Sequence, residues 1–235
     1  MLSMVLGAAA AAALVSAGYQ SMSPTGQWYG PTFVGLPRSS RKLALTFDDG
    51  PNDPYTPRLL EVLARHKVKA TFFMVGRYVE LRPDLVRSVA DAGHAIGNHT
   101  WGHPNLIFLS QSRVQAEIES CTRALSDAVG QHSPLFRPPF GGRRPASLGV
   151  ARSLGLKPVM WNVTGGDWKA SSAEYIERKI TSRVGGGDVI LLHDGGHERM
   201  GVDRSPTVAA TERVIARYKA EGFEFVTVPE MIENL

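Results

Sequence analysis

Leu43-Ala44-Leu45-Thr46-Phe47-Asp48-Asp49-Gly50-Pro51 is the stretch on which the reading of the whole chain turns. Leu43, Leu45 and Phe47 alternate with Ala44 and Thr46, the period of a half-buried or buried strand, and Asp49-Gly50-Pro51 is a strong turn signal. The strand therefore stops at two adjacent carboxylates. Neighbours on a regular strand face opposite ways, so Asp48 and Asp49 can serve one site only if the chain kinks there. An isolated Asp-Gly pair is more often a tight turn than a site, and the rest of the chain has to overturn that reading.

The 235 residues suffice for one α/β domain of barrel size. Hydrophobic residues at 43% and charged residues at 20% are ordinary globular values, which excludes both a disordered chain and a polytopic membrane protein. The formal net charge is +4, and no charged side chain precedes Arg38, so the excess belongs to the folded part and favours an anionic partner such as an envelope polymer. Basic residues form only short pairs such as Arg143-Arg144, with no basic stripe interleaved with aromatics, so no nucleic-acid partner is expected. The single Cys121 excludes a disulfide framework and a Cys-rich zinc site. It falls in phase with Val114, Ile118, Leu125 and Val129 and reads as a small core hydrophobe.

Residues 1 to 18, MLSMVLGAAAAAALVSAG, form an uncharged Ala-rich run with Val15-Ser16-Ala17 as a small-residue cleavage site. They read as a secretory signal or a short N-terminal anchor, although no Lys or Arg precedes the run. Residues 19 to 40 read as a linker whose Trp28, Tyr29 and Phe33 pack on the domain edge. Residues 41 to 235 read as the catalytic domain, a monomer working in the secreted or cell-envelope compartment.

From Arg41 onward short apolar strands alternate with amphipathic stretches, the signature of β-α units around a mainly parallel sheet. Strands are predicted at Lys42–Phe47, Ala70–Val75, Ala95–His99, Leu135–Arg137, Pro158–Val163, Asp188–His193 and Phe223–Val228. Helices are predicted at Pro57–His66, Pro83–Ala92, Ser110–Val129, Ala146–Leu154, Ala173–Arg183 and Pro206–Glu221, with Gly93, Gly130, Gly155 and Gly222 as helix stops. The pattern predicts a barrel or strongly curved sheet with its site at the carboxyl ends of the strands.

The anomalous polar residues do fall at strand ends: Asp48 and Asp49 after the first, His99 and His103 after the third, Arg137 after the fourth, Asp167 after the fifth and His193 at the sixth. His99 and His103 stand at i and i+4, which one helical turn brings to the same side. With Asp49 they make the open two-imidazole, one-carboxylate set of a catalytic zinc, a set that also suits non-haem iron(II). Asp48 is then free to act as general base, kept ionised by Arg137, unless Arg137 is merely a surface Arg before a Pro turn. His193 can protonate a leaving amine, and Asp167 can pair with it, or else merely cap a turn.

Together Thr46-Phe47-Asp48-Asp49-Gly50-Pro51, His99-x-x-x-His103, Arg137-Pro-Pro-Phe140, Asp167-Trp168 and Leu191-Leu192-His193 resemble the polysaccharide deacetylases of carbohydrate esterase family 4, the NodB-homology domain, over roughly residues 41 to 228. The resemblance implies a distorted (β/α)7 barrel and metal-dependent hydrolysis of an N-acetyl, sometimes O-acetyl, group on a sugar. One divalent ion, zinc in the first place, is implied at Asp49, His99 and His103, with Asp48 as base, His193 as acid, and Arg137 and Asp167 as their respective partners. It further implies that the backbone N–H of Phe140 helps hold the oxyanion and that Leu191 and Trp168 line the acetyl pocket and its rim. Two departures stand out: Thr164 replaces the usual acidic residue three positions before Asp167, and Phe140 stands where Tyr is common. The Gly-rich segment 194 to 204 is expected in the substrate groove.

The reading that follows is an exported deacetylase acting on N-acetylglucosamine-type units of peptidoglycan or chitin oligosaccharides. Its alternatives are an O-acetyl xylan esterase on the same fold and a catalytically silent sugar-binding homologue. A non-haem iron oxygenase fits less well, because those sites usually sit on all-β scaffolds.

Overall fold

β1 (Lys42–Gly50) is the longest strand and the axis of the sheet: it pairs in parallel with β2 (Thr71–Met74) on one side and β7 (Val189–His193) on the other. The computed structural model describes residues 12, 13, 15–130, 133–170 and 172–233. With β3 (Ala95–Asn98), β4 (Leu135–Phe136), β5 (Lys157–Pro158) and β6 (Val163–Thr164), the sheet order is β5-β4-β3-β2-β1-β7-β6, and β8 (Glu224–Phe225) pairs with the foot of β1. Every ladder between these strands is parallel, so neighbouring strands are joined by helical crossovers, and the result is the expected distorted α/β barrel. The helices are α1 (15–22), α2 (Tyr55–Arg65), α3 (Gly76–Leu81), α4 (Pro83–Asp91), α5 (Gln111–Val129), α6 (Pro145–Ser153), α7 (Ala173–Thr181), α8 (Ser205–Ala220) and α9 (Val228–Ile232). No described helix is long and apolar enough to cross a membrane.

Strand alternation sorts the core into two shells. Leu43, Leu45 and Phe47 face outward and pack with Leu59 and Leu63 of α2, Cys121 and Leu125 of α5 and Val214 of α8. The opposite phase faces inward: Ala44 joins Phe73, Leu135, Val159 and Val189, with Val228 and Met231 of α9 in the same cluster. Ala44, Thr46 and Asp48 thus share the inner face, small at the foot and acidic at the top. Cys121 is fully buried among hydrophobes, and burial pushes its thiol up to about 12, so it remains a packed thiol.

Two predicted strands are corrected. Pro158–Val163 is not one strand, because the chain leaves β5 after Val159 and re-enters the sheet as β6 on the opposite edge. The N-terminal stretch lies along this seam: Phe33 N–H donates to Pro158 O at 2.9 Å, Met160 N–H to Phe33 O at 2.7 Å, and Leu36 N–H to Gly187 O at 2.8 Å. The last strand, predicted to reach Val228, stops at Phe225, since Thr227 caps α9. Its hydroxyl accepts from Glu230 N–H while the Glu230 carboxylate accepts from Thr227 N–H at 2.6 Å. Of the proposed export segment, residues 1–11 and 14 lie outside the described residues.

Candidate active site

The two carboxylates converge because β1 is irregular at its end. Asp48 sits in register with His193 on β7, and the pairing with β2 shifts between Asp48 and Gly50, so Asp49 occupies a bulge. Asp49 has φ 74°, a left-handed conformation uncommon for a residue with a Cβ. That rotation turns its side chain back towards the site that Asp48 already faces. Gly50 is required beside it, as a Cβ there would lie 2.2 Å from Asp194 Oδ2.

The histidines meet by a different route from the one their spacing predicts. No helix forms between His99 and His103; Thr100 and His103 are instead both left-handed, at φ 67° and 60°, and their turn brings the two rings to a centroid distance of 4.9 Å. Asn98 fixes the turn by accepting the Thr100 N–H on its side-chain oxygen at 2.8 Å. Phe140, at φ 58°, is left-handed as well. Of the five non-glycine residues with positive φ among the described residues, only Lys67 lies away from this site, the clustering expected where strained backbone serves a function.

Asp49 Oδ1 lies 3.1 Å from His103 Nε2 and 3.5 Å from His99 Nε2, all three side chains being buried. His99 Nδ1 faces the Arg137 carbonyl at 2.8 Å, a pure acceptor, so Nδ1 carries the proton and Nε2 offers its lone pair inward. Asp49 Oδ1 has no hydrogen-bond partner. Burial pushes His99 down to about 4, leaving it neutral near pH 7. Burial opposes the Asp49 carboxylate, but the imidazoles, His103 first, hold it far below its usual range. The three ligand atoms lie within 4.8 Å of one another, and buried lone pairs that converge without a donor are what a divalent cation would satisfy.

Asp48 borders this group, its Oδ2 3.7 Å from His99 Nε2, but its other oxygen is engaged elsewhere. Arg137, fully buried inside the barrel, donates to Asp48 Oδ1 at 2.7 Å and to Thr46 Oγ1 at 2.8 Å, with further bonds to the Met160 and Val159 carbonyls. Its guanidinium also lies 4.1 Å from the Phe73 ring centroid. The surface-Arg alternative is thereby excluded.

Across the cavity Asp167 accepts from His193 Nδ1 at 2.9 Å, from His193 N–H at 2.7 Å and from Thr207 Oγ1 at 2.9 Å. Burial works against a charged His193, yet the Asp167 charge and hydrogen bond prevail and push it up to about 9. Thr164 keeps the preceding turn by accepting the Gly166 N–H on its hydroxyl at 3.2 Å. Asp48, Asp49, His99, His103 and His193 border one cavity of about 740 Å³, with Phe140, Trp161, Trp168 and Leu191 supplying its apolar lining. A basic site on one wall and a cationic acid on the other can activate water and protonate a leaving group.

Segment 194–204 does border this cavity, and His197, not singled out in the sequence, stacks on His103 at a centroid distance of 4.7 Å. Arg77 and Tyr78 donate to its carbonyl, and Asn52 donates to Val202 O at 3.0 Å and accepts from Gly201 N–H at 2.6 Å. A histidine following a Gly pair just past a strand end was its only advance signal. Thr46 and Thr207 carried none, because a hydroxyl acting through another side chain looks like any strand or helix Thr.

Residues 35–159 match the family model described as polysaccharide deacetylase. The chain is 34% identical over 208 residues to the peptidoglycan-N-acetylglucosamine deacetylase PgdA of Listeria monocytogenes, an alignment covering 86% of this chain and 42% of that protein, so it spans less than half of that relative. It is 36% identical over 199 residues to a chitooligosaccharide deacetylase of Bradyrhizobium sp., covering 82% of this chain and 91% of the relative. Among solved structures, the Bc1960 peptidoglycan N-acetylglucosamine deacetylase superposes with a TM-score of 0.80 at 35% identity, covering 85% of this chain and 92% of that one.

Proposed function

The chain belongs to the polysaccharide deacetylase family, and from that premise we propose that it hydrolyses acetyl groups from N-acetylglucosamine units of an envelope polysaccharide, peptidoglycan in the first place. The observation that carries the reading is the division of one cavity between an Arg-held carboxylate beside a buried Asp-His-His cluster and, on its other side, an Asp-held cationic imidazole. Asp49, His99 and His103 would hold a divalent cation, zinc by its preference for two imidazoles and a carboxylate. When bound it would polarise the acetyl carbonyl and acidify water.

The chain's own groups carry the proton traffic. Asp48, its Oδ1 engaged by Arg137 at 2.7 Å, keeps Oδ2 to accept a proton from attacking water. His193 is positioned to donate its proton to the departing amine, and Asp167 keeps it in the required tautomer by taking Nδ1–H at 2.9 Å. The Phe140 N–H is assigned to the developing oxyanion. Trp168 and Leu191 shape the pocket for a methyl group. Action on such a polymer accords with export through the N-terminal segment. The test is acetate release from N-acetylglucosamine oligomers, peptidoglycan and acetylated xylan, with and without a chelator. Chelator-sensitive release from the N-acetylated substrates is expected, and release confined to xylan would replace the amide reading with an ester one.

A further inference from the structure

We propose that residues 21–26, upstream of the family match, form a strap that positions the Phe140 loop through Arg143. The catalytic consequence rests on the role assigned above to the Phe140 N–H; the mechanical coupling does not.

Arg143 follows the loop Pro139–Gly142 directly and is 1% exposed. A buried guanidinium is costly unless its donors are satisfied. Here no carboxylate pairs with it among the described residues, and burial draws its pKa below the ordinary value. Its partners are backbone carbonyls: Nη2 donates to Ser23 O at 2.5 Å and to Gly26 O at 2.7 Å, and Nη1 donates to Gly141 O at 3.0 Å. The Arg143 backbone N–H donates to Ser21 O at 3.0 Å. Three of these four bonds therefore end on the strap, and the fourth ends on the loop.

The loop needs such a restraint. Phe140 and Gly141 are consecutive left-handed residues, at φ 58° and 69°, and a left-handed phenylalanine persists only where its surroundings over-determine it. Gly141 is already crowded, since a Cβ there would meet Trp161 at 2.9 Å. Fixing the Gly141 carbonyl fixes the turn that carries Phe140. The strap in turn is stapled in place: Ser21 Oγ lies at hydrogen-bond distance, 3.2 Å, from Tyr29 Oη, and Gln27 Oε1 accepts the Thr32 N–H at 2.8 Å. Were the strap to lift, Arg143 would lose the two carbonyls on Nη2 and be driven to seek solvent, releasing Gly141. A charged residue suits this role better than a neutral one, because it cannot stay buried once its acceptors leave. Arg143 is thus a positioning residue that never touches the reacting atoms.

Native-state hydrogen exchange on the full wild-type chain tests the coupling first. The Gly26 and Arg143 amides, bonded to Ser23 O and Ser21 O, are expected to exchange through one shared opening. Strap amides that exchange while Gly141–Arg143 stay protected would overturn the proposal, whatever the substrate. In the full chain, Arg143→Met is expected to lower kcat about 10- to 100-fold. KM and zinc affinity should stay within about twofold, as Arg143 does not touch the Asp49, His99 and His103 cluster. Arg143→Lys should recover part of the loss. Unchanged kcat in Arg143→Met would refute the proposal. Should that variant not fold, Gly26→Val attacks from the strap side, its Cβ 2.3 Å from Gln20 Oε1 and 3.3 Å from Arg143 Nη2. Faster exchange at Gly141–Arg143 is then expected, and exchange confined to the strap would again refute it. If the wild type releases no acetate from any substrate, the function reading fails and the exchange result still decides the coupling.

Discussion

Two carboxylate–imidazole groups border one cavity, built from the same residue types and held in opposite states. In Asp49, His99 and His103, burial keeps His99 neutral, at about 4, and Asp49 Oδ1 has no hydrogen-bond partner. In Asp167 and His193, each carboxylate oxygen accepts from His193, Oδ2 also takes the Thr207 hydroxyl, and the imidazole is pushed up to about 9. The lesson lies in where the lone pairs go. A carboxylate aimed between two inward-facing imidazole nitrogens leaves electron pairs for a cation, whereas one wrapped around a single imidazole stabilises a proton. Asp48 adjoins the first group, its Oδ2 3.7 Å from His99 Nε2, and differs from Asp49 in that Arg137 engages its Oδ1 at 2.7 Å.

The comparison breaks most severely if the first group loses a ligand. His103→Ala is expected to abolish zinc binding by calorimetry and reduce acetate release to background; tight zinc binding in that variant would remove His103 from the ligand set. Asp48→Asn should come next, with kcat down about 10²- to 10⁴-fold and zinc affinity nearly intact. A parallel loss of metal would mean that Asp48 belongs to the cation group after all.

The second group is read out by pH. A general acid must be protonated, so activity is expected below an alkaline limb near pH 9 and lost as pH rises through it. The raised pKa has a stability counterpart: the pair's contribution is whole below pH 6.5, the ordinary His value, and disappears as pH rises through about 9. Asp167→Asn removes the charge that outweighs burial, so the limb should move below neutrality and kcat at pH 7 should fall by about 10². A limb that stays near pH 9 would show that another group supplies the proton.

The parts legible in the sequence were those whose signal is local. Alternation in Leu43–Phe47 gave the central strand, and polar residues at strand ends gave Asp48, Asp49, His99, His103, Arg137, Asp167 and His193, which the fold gathers at one rim. The Thr227–Glu230 capping box was equally local, and attention to it would have ended the last strand before α9. The left-handed turns at Asp49, Thr100, His103 and Phe140 were not legible, since among residues with a Cβ positive φ is uncommon and even Asp and His adopt it too rarely to announce it. Nor was Arg143, which stood out only as half of a short basic pair: its Nη2 acceptors are backbone carbonyls that lie 117 and 120 residues away and carry no side-chain signature.

The smallest change that still separates the two groups is Thr207→Val. Thr207 hydrogen-bonds to neither His193 nor the Asp49, His99 and His103 cluster; its hydroxyl donates to Asp167 Oδ2 at 2.9 Å and has no other acceptor among the described residues. Valine keeps the shape and removes the donor, which leaves Asp167 Oδ2 with the His193 N–H alone. A hydrogen bond to a charged acceptor is worth about 1.5–3 kcal/mol, and losing one of several should cost towards the lower end. Two effects then oppose each other. Asp167 becomes less comfortable as an anion, which disorders the pair, but its remaining charge is shared with fewer donors and attracts the His193 proton more strongly. The alkaline limb is therefore expected to stay near pH 9 or rise slightly, while kcat falls only about three- to tenfold. A limb that drops towards 6.5 would mean that Thr207 maintains the Asp167–His193 contact itself, and that the proton-holding group is as dependent on its surroundings as the cation-holding one.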